Sequence, residues 1–269
     1  MNKCSYLHTS INKKVYTKIS CFFFLLLLLM IMEKDFSLLE TILYTPDAGF
    51  FLLDEHIERL LAAMLEFNLL DHTLFSTRLT RQDITNELGR TLPTEDSCYR
   101  IRLLVDPDSN IQIEYTQLTK PEFSYMSLDE VTNTEPAWNV VLDTEPISKD
   151  PDDPFIVHKT TKRDVYNNAR ERTRCDWHAI NDQPFDVILW NKHKHVTETS
   201  IANIAIRCVE GEKYRWKTPK LECGLLPGVF RAFLLLHNQD LTEDVITVDE
   251  LKDAQKVSYL LLSTGLLNY

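Results

Sequence analysis

The residues that could do chemistry gather in two stretches. VTETSIANIAI (196–206) sets Glu198, Thr199, Ser200 and Asn203 at the start of a run that ends apolar, and polarity that dense faces a site or a turn. CGLLPGVFRAFLL (223–235) places Gly224, Pro227 and Gly228 just ahead of a helix. The amides of Val229 and Phe230 then offer free N–H groups at the helix start, which favours an anion. Taken alone, a Pro-Gly pair of this kind simply starts a helix. Lys159 in HKTTKR and Arg59 in HIERL, taken alone, are solvated cations. Arg100 and Arg102 alternate with Tyr99 and Ile101, so both face one side of a strand, and one of them could hold a carboxylate. His193 and His195 in NKHKH read as a solvated turn rather than a metal pair.

The elements that must position these residues follow from local pattern. FSLLETILY (36–44) is β-rich, TPDAG turns, and FFLLD resumes as a short strand. Asp54 caps a helix running EHIERLLAAMLEFNLL, whose Ile57, Leu60, Leu61, Met64 and Leu65 form one apolar stripe. A second helix covers Arg81 to Leu88 with Thr80 as its cap. SCYRIRLLVD, the DPDSN turn and IQIEYTQL make a β-hairpin. FNLLDHTLF reads as core. Asp143 to Pro154, rich in proline and acid, is expected to be a solvated tether between two domains. Beyond it, TTKRDVYNNARERTR predicts a helix, FDVILWN a buried strand, HVTET and IANIAIRCV a pair of strands, and GVFRAFLLLHN a helix. Strands and helices alternate, so the fold class is α/β, with an α+β small domain over 32–148 and a larger α/β domain over 149–269.

Composition narrows the function. The 269 residues are 44% hydrophobic, 10% aromatic and 26% charged, a globular mixture with room for a sizeable core. Forty acidic against 29 basic residues give a net charge of −11, which repels a phosphate backbone and argues against nucleic-acid binding. The six cysteines are dispersed without a C-x-x-C pair, as in a reducing, cytoplasmic setting. Residues 1–31 stand apart. The apolar run CFFFLLLLLMIM (21–32) follows four lysines and is too short to span a membrane. It is a signal-like or anchor-like segment, or the product of a start assigned upstream of Met32. Only as an anchor would it bring membrane association.

Five blocks, FSLLETIL, LLDEHIERL, HKTTKRDVYNNAR, VTETSIANIAI and CGLLPGVFRAFLL, in this order resemble the class IV (fold-type IV) family of pyridoxal-phosphate enzymes over roughly residues 36 to 269. Glu198, Ser200, Asn203, Thr218, Gly228, Val229 and Arg231 match its motif. Ala205 stands where an aromatic is usual and Trp216 where an aliphatic is usual. ETIL, HIERL, RIRLLVD, HKTTKRDVY and CGLLPGVFR are most similar to the aminodeoxychorismate lyase-like domains fused to aminodeoxychorismate synthase.

The resemblance implies a D-amino-acid aminotransferase-like fold and pyridoxal 5'-phosphate as cofactor. It implies that Lys159 holds the cofactor aldehyde and then moves the proton, and that Glu198 bonds the pyridine nitrogen. Arg59 grips the phosphate, helped by the amides of Val229 and Phe230 and the hydroxyl of Thr264. Asn203 braces the strand of Glu198, and Thr41 aligns with a threonine used near the lyase site. The activity implied is release of pyruvate from 4-amino-4-deoxychorismate to give 4-aminobenzoate. The alternatives are a D-amino-acid or branched-chain transaminase and a catalytically degenerate paralogue. A homodimer acting on a small amino substrate is expected from the same likeness. The family usually closes with Asn-Ser-x-Arg-Gly, whereas STGLLNY stops at Tyr269 without the arginine, which points to altered substrate choice or a truncated gene product.

Overall fold

The computed structural model describes residues 34–118, 128, 139–178, 183–210, 213–253 and 257–263. The N-terminal segment through Met32, with its apolar run, and Thr264 lie outside them.

The first sheet has the order β2-β1-β3-β4, built from β1 (Leu38–Thr45), β2 (Gly49–Phe50), β3 (Cys98–Val105) and β4 (Ile111–Leu118). In β3 the alternation is clean: Ile101, Leu103 and Val105 are buried, while Arg100, Arg102 and Leu104 take the other face. Helix α1 (Leu53–Leu70) lays Ile57, Leu60, Ala63, Met64 and Phe67 on the buried side. Phe36 meets Phe67 with ring centroids 5.0 Å apart and Phe155 at 5.1 Å, so a residue from beyond position 150 packs into this core. Helix α2 (Arg81–Thr91) starts on Thr80, the cap the sequence indicates, and the structure adds Asp83 as the other half of a capping box in which the two satisfy each other's backbone N–H. Asp54 does not cap α1. The N-cap is Leu52, left-handed at φ 53, and Asp54 sits in the first turn, paired with Arg81. The strand before it is shorter than expected, because the chain turns into the helix directly after Phe50.

Two further sheets follow. One has the order β5-β6-β7, from β5 (Val140–Leu142), β6 (Asp186–Trp190) and β7 (Val196–Thr199). The other has the order β10-β9-β8-β11, from β8 (Asn203–Glu210), β9 (Lys213–Pro219), β10 (Leu241–Asp244) and β11 (Val257–Ser263). Helices α3 (Pro154–Val157), α4 (Asp164–Thr173), α5 (Val229–His237) and α6 (Val248–Lys252) complete the α/β architecture. HVTET and IANIAIRCV do not pair with each other. β7 pairs with β6, and β8 pairs with β9 and β11. Thr199 causes the switch: its Oγ1 accepts from the amides of Ile201 and Ala202, closing a tight corner that hands the chain from one sheet to the next.

The acidic stretch is not a loose tether. Asp143 is buried and takes two hydrogen bonds from Arg172, at 3.1 and 2.6 Å. Trp190 donates to its carbonyl, and Ile147 joins the core beneath α4. Pro151 packs on Gly224, where a Cβ would lie 2.7 Å from its Cα. One buried acid, Asp143, and the buried Ile147 hold the segment down despite its prolines, while Glu145, Asp150 and Asp152 are exposed. FNLLDHTLF is only partly core: Phe67, Leu74 and Phe75 are buried, whereas Leu69 and Leu70 are exposed. Ala205 and Trp216 lie buried in one cluster with Leu234 and Leu241, so the small residue makes room for the large one.

Candidate active site

Lys159 is positioned by a stitch between distant segments. Helix α3 begins with Pro154 behind the N-cap Asp153 and ends at His158. The next residues run antiparallel to β1: Leu39 N donates to Lys159 O at 2.9 Å and Thr161 N to Ser37 O at 2.9 Å, while Ser37 N donates to Thr161 Oγ1 at 2.8 Å. Lys159 thereby enters a crevice together with Thr41, Arg59, Arg163, Glu198 and Asn203. Its Nζ has no hydrogen-bond or ion-pair partner among the described residues. Burial, then the cations of Arg59 and Arg163, pull its ammonium down to about 8. A neutral amine is therefore accessible near physiological pH, as a nucleophile or base requires.

Glu198 is the buried acid of the crevice, 4% exposed. Tyr166, from α4, donates to its Oε1 at 2.8 Å. Asn203 Nδ2 at 3.2 Å and the amide of Leu226 at 3.3 Å donate to Oε2. Burial still lifts its carboxyl to about 7, against the pull of these donors. Such a group favours a cationic partner, and Oε1, with one donor on it, keeps a lone pair for one. Asn203 Nδ2 also donates to Leu226 O at 2.9 Å, so it ties the strand of Glu198 to the loop before α5. Gly228 is required there, because a Cβ would stand 1.9 Å from Asn203 Oδ1.

Arg59 projects from α1 toward that loop. Its Nη1 donates to Pro227 O at 3.0 Å, and its Nε and Nη2 fork onto Glu40 at 2.9 and 2.5 Å. Helix α5 starts at Val229 with Gly228 as N-cap, which has no side chain to cap the helix. A guanidinium beside a helix N-terminus forms an anion cradle. Arg231 does not belong to it: its side chain is buried and bonded to Thr218, Pro219 O and Glu243, where it clamps β9 and β10 to the helix.

The remaining residues singled out in the sequence are distributed as follows. Thr41 lines the crevice. Arg102 and Arg100 stand opposite Thr41 and Leu43 in the β1–β3 register, on the same sheet face, but neither lines the crevice, and Arg102 pairs with Glu114 at 2.7 Å. His193 and His195 sit at the β6–β7 connection with rings 5.9 Å apart. Among the described residues no cluster of three or more His, Cys, Asp or Glu is arranged to hold a metal ion, and no helix is long and apolar enough to cross a membrane.

Three residues escaped the sequence reading: Arg163 and Tyr166, which line the crevice, and Glu40, buried behind Arg59. Glu40 is a lone acid in the apolar strand LLETIL. Tyr166 is indistinguishable from any amphipathic helix tyrosine. Arg163 donates to Ser200 O and stacks 4.7 Å over the Tyr166 ring. The one available signal was Glu40, since an unpaired charge in a fully buried strand is too costly to be accidental.

A family model described as amino-transferase class IV matches residues 37–265. A Schizosaccharomyces pombe protein named for aminodeoxychorismate lyase is 27% identical over 227 residues, covering 83% of this chain and 84% of that protein. The aminodeoxychorismate lyase of Saccharomyces cerevisiae is 27% identical over 229 residues, 69% of this chain, and the match spans 58% of that protein. A solved Mesorhizobium loti structure, described as an amino-acid aminotransferase, aligns with TM-score 0.66 at 25% identity, covering 86% of this chain and 96% of that one.

Proposed function

Since the chain belongs to the amino-transferase class IV family, we propose that it is a pyridoxal 5'-phosphate enzyme that releases pyruvate from 4-amino-4-deoxychorismate and leaves 4-aminobenzoate. The observation that carries the reading is the joint presence, in one crevice, of an unpaired lysine with a lowered ammonium, a buried acid and an arginine beside a helix N-terminus. These residues fit the cofactor. The amine of Lys159 suits its aldehyde, Glu198 has acceptor capacity left for its ring N–H, and Arg59 with the amides of Val229 and Phe230 suits its phosphate.

When bound, the cofactor would supply an electron sink for the carbon that bears the substrate amine. Lys159 takes the proton from that carbon, and the bond from the neighbouring carbon to the enolpyruvyl oxygen breaks. The proton ends on the departing enol as it becomes pyruvate, so no co-reactant is required. Glu198 keeps the ring nitrogen protonated. Arg59 and the first amides of α5 fix the phosphate end. Thr41, on the β1 wall beside Lys159, offers a hydroxyl to the departing group. Both curated relatives are named for the lyase, which favours elimination over transamination.

The test is to incubate the chain from Met32 and the cofactor with 4-amino-4-deoxychorismate and measure pyruvate and 4-aminobenzoate. Equal amounts of both, lost in Lys159→Ala, support the lyase. Exchange of amino groups between an amino acid and a 2-oxo acid without pyruvate release indicates a transaminase. A folded chain that stays colourless with the cofactor, with no borohydride label on Lys159, indicates a degenerate paralogue.

A further inference from the structure

Glu40 lies on β1, 1% exposed, among Leu38, Leu39 and Ile42. Both of its oxygens are engaged. Arg59 Nε reaches Oε1 at 2.9 Å, and Oε2 receives Arg59 Nη2 at 2.5 Å and meets His56 Nδ1 at 2.7 Å. Burial pushes the carboxyl up, but the Arg59 charge and the bonds from His56 and Arg59 outweigh it and hold it at about 2. The fork takes one whole edge of the guanidinium. Of its five N–H donors, three are spent on Glu40 and Pro227 O, which leaves one on Nη1 and one on Nη2. The direction of those two is fixed by what holds the other three.

From this geometry we infer that Glu40 is the positioning residue of the phosphate grip, a rail that turns the far edge of Arg59 toward the start of α5. His56 supports the rail from one turn earlier on the same helix as Arg59. The inference rests on the reading that the crevice takes pyridoxal 5'-phosphate, but it concerns a residue one step removed from that group. It also has a rival of opposite sign. If Glu40 merely balanced the charge of Arg59, removing it would leave a stronger positive field and tighter phosphate binding. If it positions Arg59, removing it loosens the guanidinium and weakens phosphate binding.

The experiment compares dissociation constants for pyridoxal 5'-phosphate and for pyridoxal, by absorbance titration of the apoprotein. The ratio of the two isolates the phosphate grip, since Lys159 meets the aldehyde of both. Glu40→Gln should cut the preference for the phosphorylated form by about tenfold while leaving pyridoxal affinity near that of the parent. Glu40→Asp keeps the charge but withdraws the fork by one methylene, so it serves where the glutamine variant does not fold. Positioning requires that it too lose preference, whereas charge balance requires that it lose none. In an Arg59→Met background, Glu40→Gln should change the ratio no further. A preference unchanged or raised in Glu40→Gln, or unchanged in Glu40→Asp, overturns the inference and leaves the cofactor reading standing. A parent protein that binds both compounds equally removes the phosphate role of Arg59, and the inference with it.

Discussion

Tyr166 donates its phenolic hydrogen to Glu198 Oε1 at 2.8 Å, from a helix 32 residues earlier in the chain. The acid that faces the crevice is thus held on one oxygen by a side chain and on the other by Asn203 and the Leu226 amide. Loss of the phenol removes a donor that favours the charged acid. Tyr166→Phe should raise the pKa of Glu198 further above about 7 and weaken cofactor binding several-fold at neutral pH. A cofactor titration across neutral pH checks this, and an affinity equal to the parent's at every pH would contradict it.

The apoprotein should carry the signature of Glu198 in its pH-stability curve. The folded-state pKa of about 7 lies above the ordinary 4.5, so between those values the folded chain binds more protons than the unfolded one. Stability therefore falls as pH rises through that window, by up to about 3 kcal/mol. Glu198→Gln should flatten the fall, read as melting temperature against pH without cofactor.

Lys159 works with the other sign. Its folded value of about 8 lies below the ordinary 10.5, so the unfolded chain binds more protons between them and stability climbs with pH over that range. Lys159→Ala should remove the climb and melt no lower than the parent near neutral pH. A clear loss of melting temperature would mean that the amine has a stabilising partner.

Gly228→Ala forces a methyl onto Asn203 Oδ1, which stands 1.9 Å from the Cβ position. Asn203 must then leave Glu198 or Leu226 O. Cofactor affinity should fall by about tenfold or more with a smaller effect on folding. Calorimetric titration beside a melting curve separates the two.

Asp143→Ala leaves Arg172 without its buried partner and frees the stretch that follows. A loss of about 1–2 kcal/mol is expected, together with protease cleavage between residues 144 and 153 that the parent resists. Cleavage of parent and variant at equal rates would show that the segment is mobile despite its anchors.

By itself the sequence determined the alternation of strands and helices, the Thr80 cap of α2 and the β3–β4 hairpin, because periodicity and capping act within a few residues. It also marked Glu198 and the Gly228–Val229 helix start through local pattern, and Lys159 through the family resemblance alone. Only the tertiary structure decided that Glu40 holds Arg59, that Tyr166 holds Glu198, that Thr199 sends β7 and β8 into different sheets, and that an acidic, proline-rich stretch is pinned through Asp143. The physical reason is the same in each case. A buried charge takes whatever partner packing brings within hydrogen-bond reach, and that partner is set by sheet register and helix placement across tens of residues, which no local pattern encodes.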